Sequence, residues 1–126
     1  MIQKDRRPLQ FEIEEVQDAD GVRVTIVDCH GGGWLAGGSP LREQVRALIE
    51  QGARIRIDMA DVPDIDDFGL GMLAEIKARS RTQGSSKLEL LNPSPRILQL
   101  LQITRLDSIF DDQKPWPGSS PGGGTA

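Results

Sequence analysis

The chain reads as a single two-layer α/β domain: helices cover one face of a mixed sheet of four to five strands, and the other face is left polar. Three observations predict this. Apolar periodicity alternates between two residues and about 3.6 in the order β-β-α-β-α-β-α. Strands joined through helices should be parallel with right-handed crossovers, whereas the first two, adjacent in sequence, form a hairpin. The strands also alternate, sending Glu12, Glu14, Arg23, Arg54, Arg56, Lys87 and Glu89 outward; a sheet covered on both sides would show continuous apolar runs instead. With 126 residues, 37% of them hydrophobic, there is material for one core.

The elements follow in order. Residues 1–9 form a charged lead without the apolar centre of a signal peptide. The first strand sets Phe11 and Ile13 against Glu12 and Glu14. The second sets Val22, Val24 and Ile26 against Arg23 and Thr25, with Asp18-Ala19-Asp20-Gly21 as the turn. The glycine-rich stretch Gly31–Gly38 reads as a flexible loop. Ser39 then caps the first helix with Pro40 at its first position, its apolar stripe runs through Leu41, Val45, Leu48 and Ile49, and it ends near Gly52. In the third strand Ile55, Ile57 and Met59 alternate with Arg54, Arg56 and Asp58. The second helix starts around Asp67 and runs to about Gln83, where Gly84 stops it. Leu88 and Leu90 against Lys87 and Glu89 make the fourth strand. Asn92-Pro93-Ser94-Pro95 opens the third helix, which carries Ile97, Leu98 and Leu101, and Ile103 to Phe110 closes the core. The folded domain spans 10–112, and residues 113–126 are expected to be a disordered Pro/Gly/Ser-rich tail with Trp116 as its one aromatic.

Composition narrows the function. A net charge of -4 without clustered Lys and Arg argues against direct contact with nucleic acid. No apolar run approaches the roughly 20 residues that cross a bilayer, so no membrane is expected and the protein is placed in the cytoplasm. The lone Cys29 cannot close an internal disulfide. Its neighbour His30 points the opposite way in an extended chain, and there is no second histidine to build a catalytic or metal cluster. No nucleophile has a matching base; the expectation is no enzyme, no metal and no cofactor. Gly31-Gly32-Gly33-Trp34-Leu35-Ala36 has glycine spacing like a dinucleotide fingerprint, but with a helix starting only at Pro40 the context fails. Asp64, Asp66, Gly69 and Glu75 partly match a calcium loop, yet Phe68 falls where a ligand is needed. Gly69, Met72, Leu73, Ile76 and Ser80 share one arc of a helix.

What remains is the start of the second helix. Asp66 and Asp67 lie where free backbone amides and the positive end of the helix dipole favour anions, and capping suffices to explain Asp66. Phe68 and Leu70 fall about 100° to either side of the core stripe, given 3.6 residues per turn. They are therefore expected to be partly exposed beside the cap. Asp66, Asp67, Phe68, Gly69 and Leu70 then form a small apolar patch around an acidic centre, which suits docking better than catalysis.

The stretch Val62-Pro63-Asp64-Ile65-Asp66-Asp67-Phe68-Gly69-Leu70-Gly71 resembles the signature of the STAS domain, the fold of bacterial anti-sigma-factor antagonists, and the resemblance extends from about Phe11 to Phe110. In that family an Asp-Ser-x-Gly-Leu segment opens a helix, and its serine is phosphorylated by a partner that is both anti-sigma factor and kinase. Asp66, Gly69 and Leu70 match that pattern; Asp67 stands in the place of the serine. Leu88 to Pro95 resembles the family's fourth strand and third-helix cap, and Leu106 to Phe110 its closing segment. The family's early Gly-x-Leu-Asp appears as Gly33-Trp34-Leu35-Ala36, without its acid. The resemblance implies a STAS-like fold and a bacterial transcription regulator that works by partner switching. Its partner would be an anti-sigma factor/serine kinase or related regulatory protein, with the chain itself a monomer or weak dimer.

A kinase cannot phosphorylate Asp67 as it would serine. Its single charge only partly imitates the roughly -1.5 to -2 of phosphoserine. Asp67 is therefore either a permanent off-state lock or a recognition residue. Phosphorylation of the Asp67 carboxylate itself would need a magnesium-binding acidic pocket, for which Asp61 and Asp64 are weak candidates. The alternative functions are a small-ligand or nucleotide-sensing module using the Gly31–Gly38 loop, and a scaffold component of a larger sensory assembly.

Overall fold

The structure is a computed structural model that describes residues 5–83 and 86–113. The expected stop at Gly84 and the tail from residue 114 onward, with Trp116, lie outside them. Seven regular elements follow in chain order: β1 (Gln10–Gln17), β2 (Arg23–His30), α1 (Trp34–Glu50), β3 (Arg54–Asp61), α2 (Asp67–Thr82), β4 (Lys87–Leu91) and α3 (Pro95–Ile103), with a closing 3-10 segment over Leu106–Gln113. The sheet has four strands in sequence order, β1 antiparallel to β2 and the remaining pairs parallel. In the hairpin turn the Asp18 carboxylate accepts from the Asp20 and Val22 amides at 2.9 and 3.0 Å, and Gly21 takes a positive φ of 80°.

One core lies between the sheet and the helices. The strands contribute Val27, Cys29, Ile55, Ile57, Met59, Leu88 and Leu90. Leu41, Val45 and Ile49 of α1, Leu73 and Ile76 of α2, and Ile97 and Leu101 of α3 meet them, and Phe110 seals the end. Two polar residues of α2, Lys77 and Ser80, are buried as well, and Lys77 carries a charge. Its ammonium donates to the Leu88 carbonyl at 2.7 Å and to Asp112 at 2.9 Å, and it sits 5.6 Å from the centre of the Phe110 ring.

Three expectations are corrected. Strand β2 faces the other way: Thr25 pairs with Ile55 and Val27 with Ile57, so Thr25, Val27 and Cys29 look into the core while Val24 and Ile26 lie on the opposite face. Arg23 shares the core-facing phase and is exposed because it sits at the strand's end. The sequence from Val22 to Cys29 is apolar at both phases, and pairing with β3 decides between them.

Helix α1 begins at Trp34, not Pro40. Gly33 is its N-cap, and Pro40 lies inside it, where it has no N–H to offer the carbonyl four residues back. Burial of Trp34 outweighs that lost bond. The glycines on this stretch are packing sites: a Cβ on Gly37 would stand 2.5 Å from the Leu9 carbonyl, and one on Gly38 would stand 2.8 Å from Met72.

The domain is also wider than 10–112. Leu9 is buried and donates to the Gly33 carbonyl, and Gln113 exchanges two hydrogen bonds with the Leu90 backbone, acting as a short extra partner for β4.

Candidate functional site

The end of β3 and the start of α2 are joined by a tightly used loop. Val62, Asp64 and Ile65 are buried, and the Asp64 carboxylate accepts from the Ile65 amide at 3.0 Å with the Arg96 guanidinium 3.6 Å away. Asp66 then sits at the N-cap in extended conformation (φ -78°, ψ 169°), and one of its carboxylate oxygens accepts from the Gly69 amide at 2.8 Å. The other oxygen accepts from the Leu35 amide at 2.9 Å, in the first turn of α1. One carboxylate therefore caps two helices whose N-termini converge, where their dipoles both favour a negative charge.

The convergence follows from small residues. Gly69 lies under the Trp34 indole: a Cβ there would come within 2.6 Å of both Trp34 and Ile65. The indole N–H donates to the Gly31 carbonyl at 3.1 Å, and the Asp66 amide donates to the Gly32 carbonyl at 3.0 Å. The glycine amides are similarly engaged. Gly31 donates to the Asp61 carbonyl and Gly33 to the Arg7 carbonyl, so these donors are not turned toward a pyrophosphate, and the dinucleotide reading finds no cradle here.

With Asp66 committed to the scaffold, Asp67 and Phe68 form the free tip. Asp67 is exposed in the first turn of α2, and Phe68 is 39% exposed. Leu70, expected at the surface, is 4% exposed and belongs to the core; Gly69 is buried as well. Leu70 falls in one helical row with Leu73 and Lys77, the side on which Lys77 reaches β4 and the closing segment, so its flank of α2 is roofed. Leu35 takes over the apolar role at the surface. It is 73% exposed at the tip of α1, beside the cap. Sequence reasoning missed it because a helix starting at Pro40 leaves Leu35 in a loop; with the start at Trp34, it falls off the stripe of Trp34, Gly38, Leu41 and Val45.

Two depressions flank Asp67. A cavity of about 690 Å³ lies between the two helix starts and α3, lined by Arg6, Leu35, Ile65, Asp67, Arg96 and Leu100 among others. On the other side a groove of about 250 Å³ runs between α1 and α2 along Arg42, Phe68, Met72 and Glu75, where Arg42 donates to Glu75 at 2.6 Å.

Burial pushes the Cys29 thiol up to about 12, so it is no nucleophile at neutral pH. Asp61 is held by Arg7 and His30; Asp64 lines the same cavity as Asp67, but its carboxylate turns to the Ile65 amide and Arg96. No helix among the described residues is long and apolar enough to cross a membrane.

Comparison with known proteins bears on the family and the fold. Residues 15–118 match the STAS domain family. The chain is 42% identical over 71 residues to the anti-sigma-B factor antagonist of Bacillus subtilis (strain 168), an alignment covering 56% of this chain and 64% of that protein. Among solved structures, an anti-sigma factor antagonist from Mycobacterium paratuberculosis superposes with a TM-score of 0.59 at 21% identity, covering 82% of this chain and 83% of that one. The phosphorylated form of the Bacillus cell fate determinant SpoIIAA does so with a TM-score of 0.57 at 19% identity, covering 79% and 86%.

Proposed function

The chain belongs to the STAS domain family, and on that premise we propose that it is a cytoplasmic bacterial regulatory module of the anti-sigma-factor-antagonist type, which binds a partner protein through the tip of α2. The observation that carries this reading is the division of labour at the tip. The Asp66 carboxylate is spent on two helix starts, while Asp67 stands exposed with the apolar surfaces of Phe68 and Leu35 nearby. A fixed anion ringed by apolar groups suits recognition by another protein, where a few such anchors carry most of the affinity. The partner class is an anti-sigma factor with serine-kinase activity or a related regulator, and Asp67 occupies the position at which such a kinase would otherwise place phosphate.

The test is binding of the wild type, Asp67→Ser and Asp67→Ala to the anti-sigma kinases encoded by the same genome. If Asp67→Ala binds and the wild type does not, the charge is an off-state lock. If the wild type alone binds, the acid is part of the recognition surface. Equal affinity of all three removes Asp67 from the mechanism, and failure of every variant with every kinase overturns the reading. A second reading, a small-ligand sensor, is favoured by the cavity beside Asp67. It predicts saturable binding of a small molecule that is lost when Ala36, on the cavity wall, is replaced by Trp.

A further inference from the structure

The polar face of the sheet collects acids in register. Glu12 of β1 stands directly opposite Asp28 of β2, and Asp28 stands opposite Asp58 of β3. Like charges placed directly across strands repel. Asp58 is occupied, accepting from the Ala60 amide and the Asn92 side chain. Glu12 and Asp28 instead converge on His30, two residues beyond Asp28 on the same face. The His30 Nε2 is 3.0 Å from a Glu12 oxygen and 3.5 Å from an Asp28 oxygen, and the three atoms lie within 4.8 Å of one another.

We propose that Glu12, Asp28 and His30 form a divalent-metal site of the zinc class on the outer face of the sheet, with Asp61 as the positioning residue for the imidazole. A tetrahedral ion with bonds of roughly 2.0–2.1 Å has ligand-to-ligand edges of about 3.3 Å, close to both distances from Nε2. The tautomer is set from the far side of the ring. Asp61 lies 2.9 Å from Nδ1 and is itself gripped by two Arg7 nitrogens at 3.0 and 3.2 Å. A carboxylate can only accept, so Nδ1 donates to Asp61 and Nε2 donates to Glu12 until an arriving cation displaces the Nε2 proton to solvent and takes its lone pair; Asp61 then holds the ring by Nδ1–H, the arrangement by which outer carboxylates orient metal-bound histidines.

With that proton displaced, each of the three side chains has one ligand atom within 4.8 Å of the others. A proton on Nε2 brings one positive charge and one short hydrogen bond to the opposed pair, whereas a divalent cation brings two charges and can take a lone pair from all three groups at once. Glu12 and Asp28 side chains are 78% and 46% exposed, so an ion enters from solvent and water completes its coordination. A second histidine is not needed for this set: one of its other ligands is an acid two residues before His30 on β2 and the other, Glu12, comes from the neighbouring strand.

The test uses tag-free, chelator-treated full chain titrated with zinc chloride at pH 8 by calorimetry, with cobalt(II) as an optical probe of tetrahedral geometry. The expected result is one equivalent of zinc bound, with the His30 ring resonances shifting on addition. Affinity should fall tenfold or more in His30→Gln and in Glu12→Gln, and about 10- to 100-fold in Asp61→Asn. Glu12→Gln, at a highly exposed edge-strand position, keeps the test valid if another variant misfolds. Absence of saturable binding at one equivalent overturns the proposal, as does binding that is unchanged in both His30→Gln and Glu12→Gln. The histidine would then serve only as a protonated bridge between carboxylates.

Discussion

At the scale of single residues, Asp66 does the work of two caps. Replacing it with alanine removes acceptors from the Gly69 and Leu35 amides together, so the loss should exceed the typical ~1 kcal/mol of one cap and reach about 2–3 kcal/mol. Asp66→Asn should fall between, because an amide offers one acceptor oxygen and turns an N–H toward the other donor. Urea unfolding of the three proteins checks the order; an Asp66→Ala chain as stable as wild type would contradict it. The cap on α2 was legible in the sequence because it is local, an Asp three residues ahead of the amide it accepts from. The bond to Leu35 was not, since it spans 31 residues and depends on where α1 begins. The same error hid Leu35 as a surface residue, and Leu70 was misplaced because a wheel drawn for an isolated helix does not know what packs on its flank.

Among the elements, α2 and α3 are where the sequence placed them because each opens with its own oxygen-bearing cap. The Ser94 hydroxyl accepts from the Ile97 amide at 3.1 Å, with Pro95 following. Helix α1 starts without a side-chain cap of its own and carries Pro40 inside, so local signals pointed past its true start. Strand β2 has apolar residues on both faces, and only its neighbours fix the phase. Lys77 ties α2 to both β4 and the closing segment. In Lys77→Met the stem's packing is kept while the Leu88 carbonyl loses its donor, so a destabilisation of about 1–3 kcal/mol is expected. Lys77→Ala should exceed it by the cavity it leaves. Denaturant midpoints and amide exchange on the closing segment measure both; a neutral Lys77→Met would show that the ammonium's bonds contribute nothing net.

For the whole molecule, the one-sided sheet was the most legible feature, because charged residues recur on strands whose alternate positions are apolar. That asymmetry places the helix tips, with the exposed Asp67, Phe68 and Leu35, on one part of the surface and leaves the back of the sheet as a separate polar field containing His30 and its acids. The seating of Trp34 on Gly69 has an optical consequence. The chain holds two tryptophans and no tyrosine, so changing Trp116 to Phe leaves one fluorophore, shielded from water directly beneath the α2 tip. A protein settling on Asp67 and Phe68 should shift or quench that emission in proportion to occupancy, giving a label-free titration curve; a silent spectrum at saturation would place the contact elsewhere.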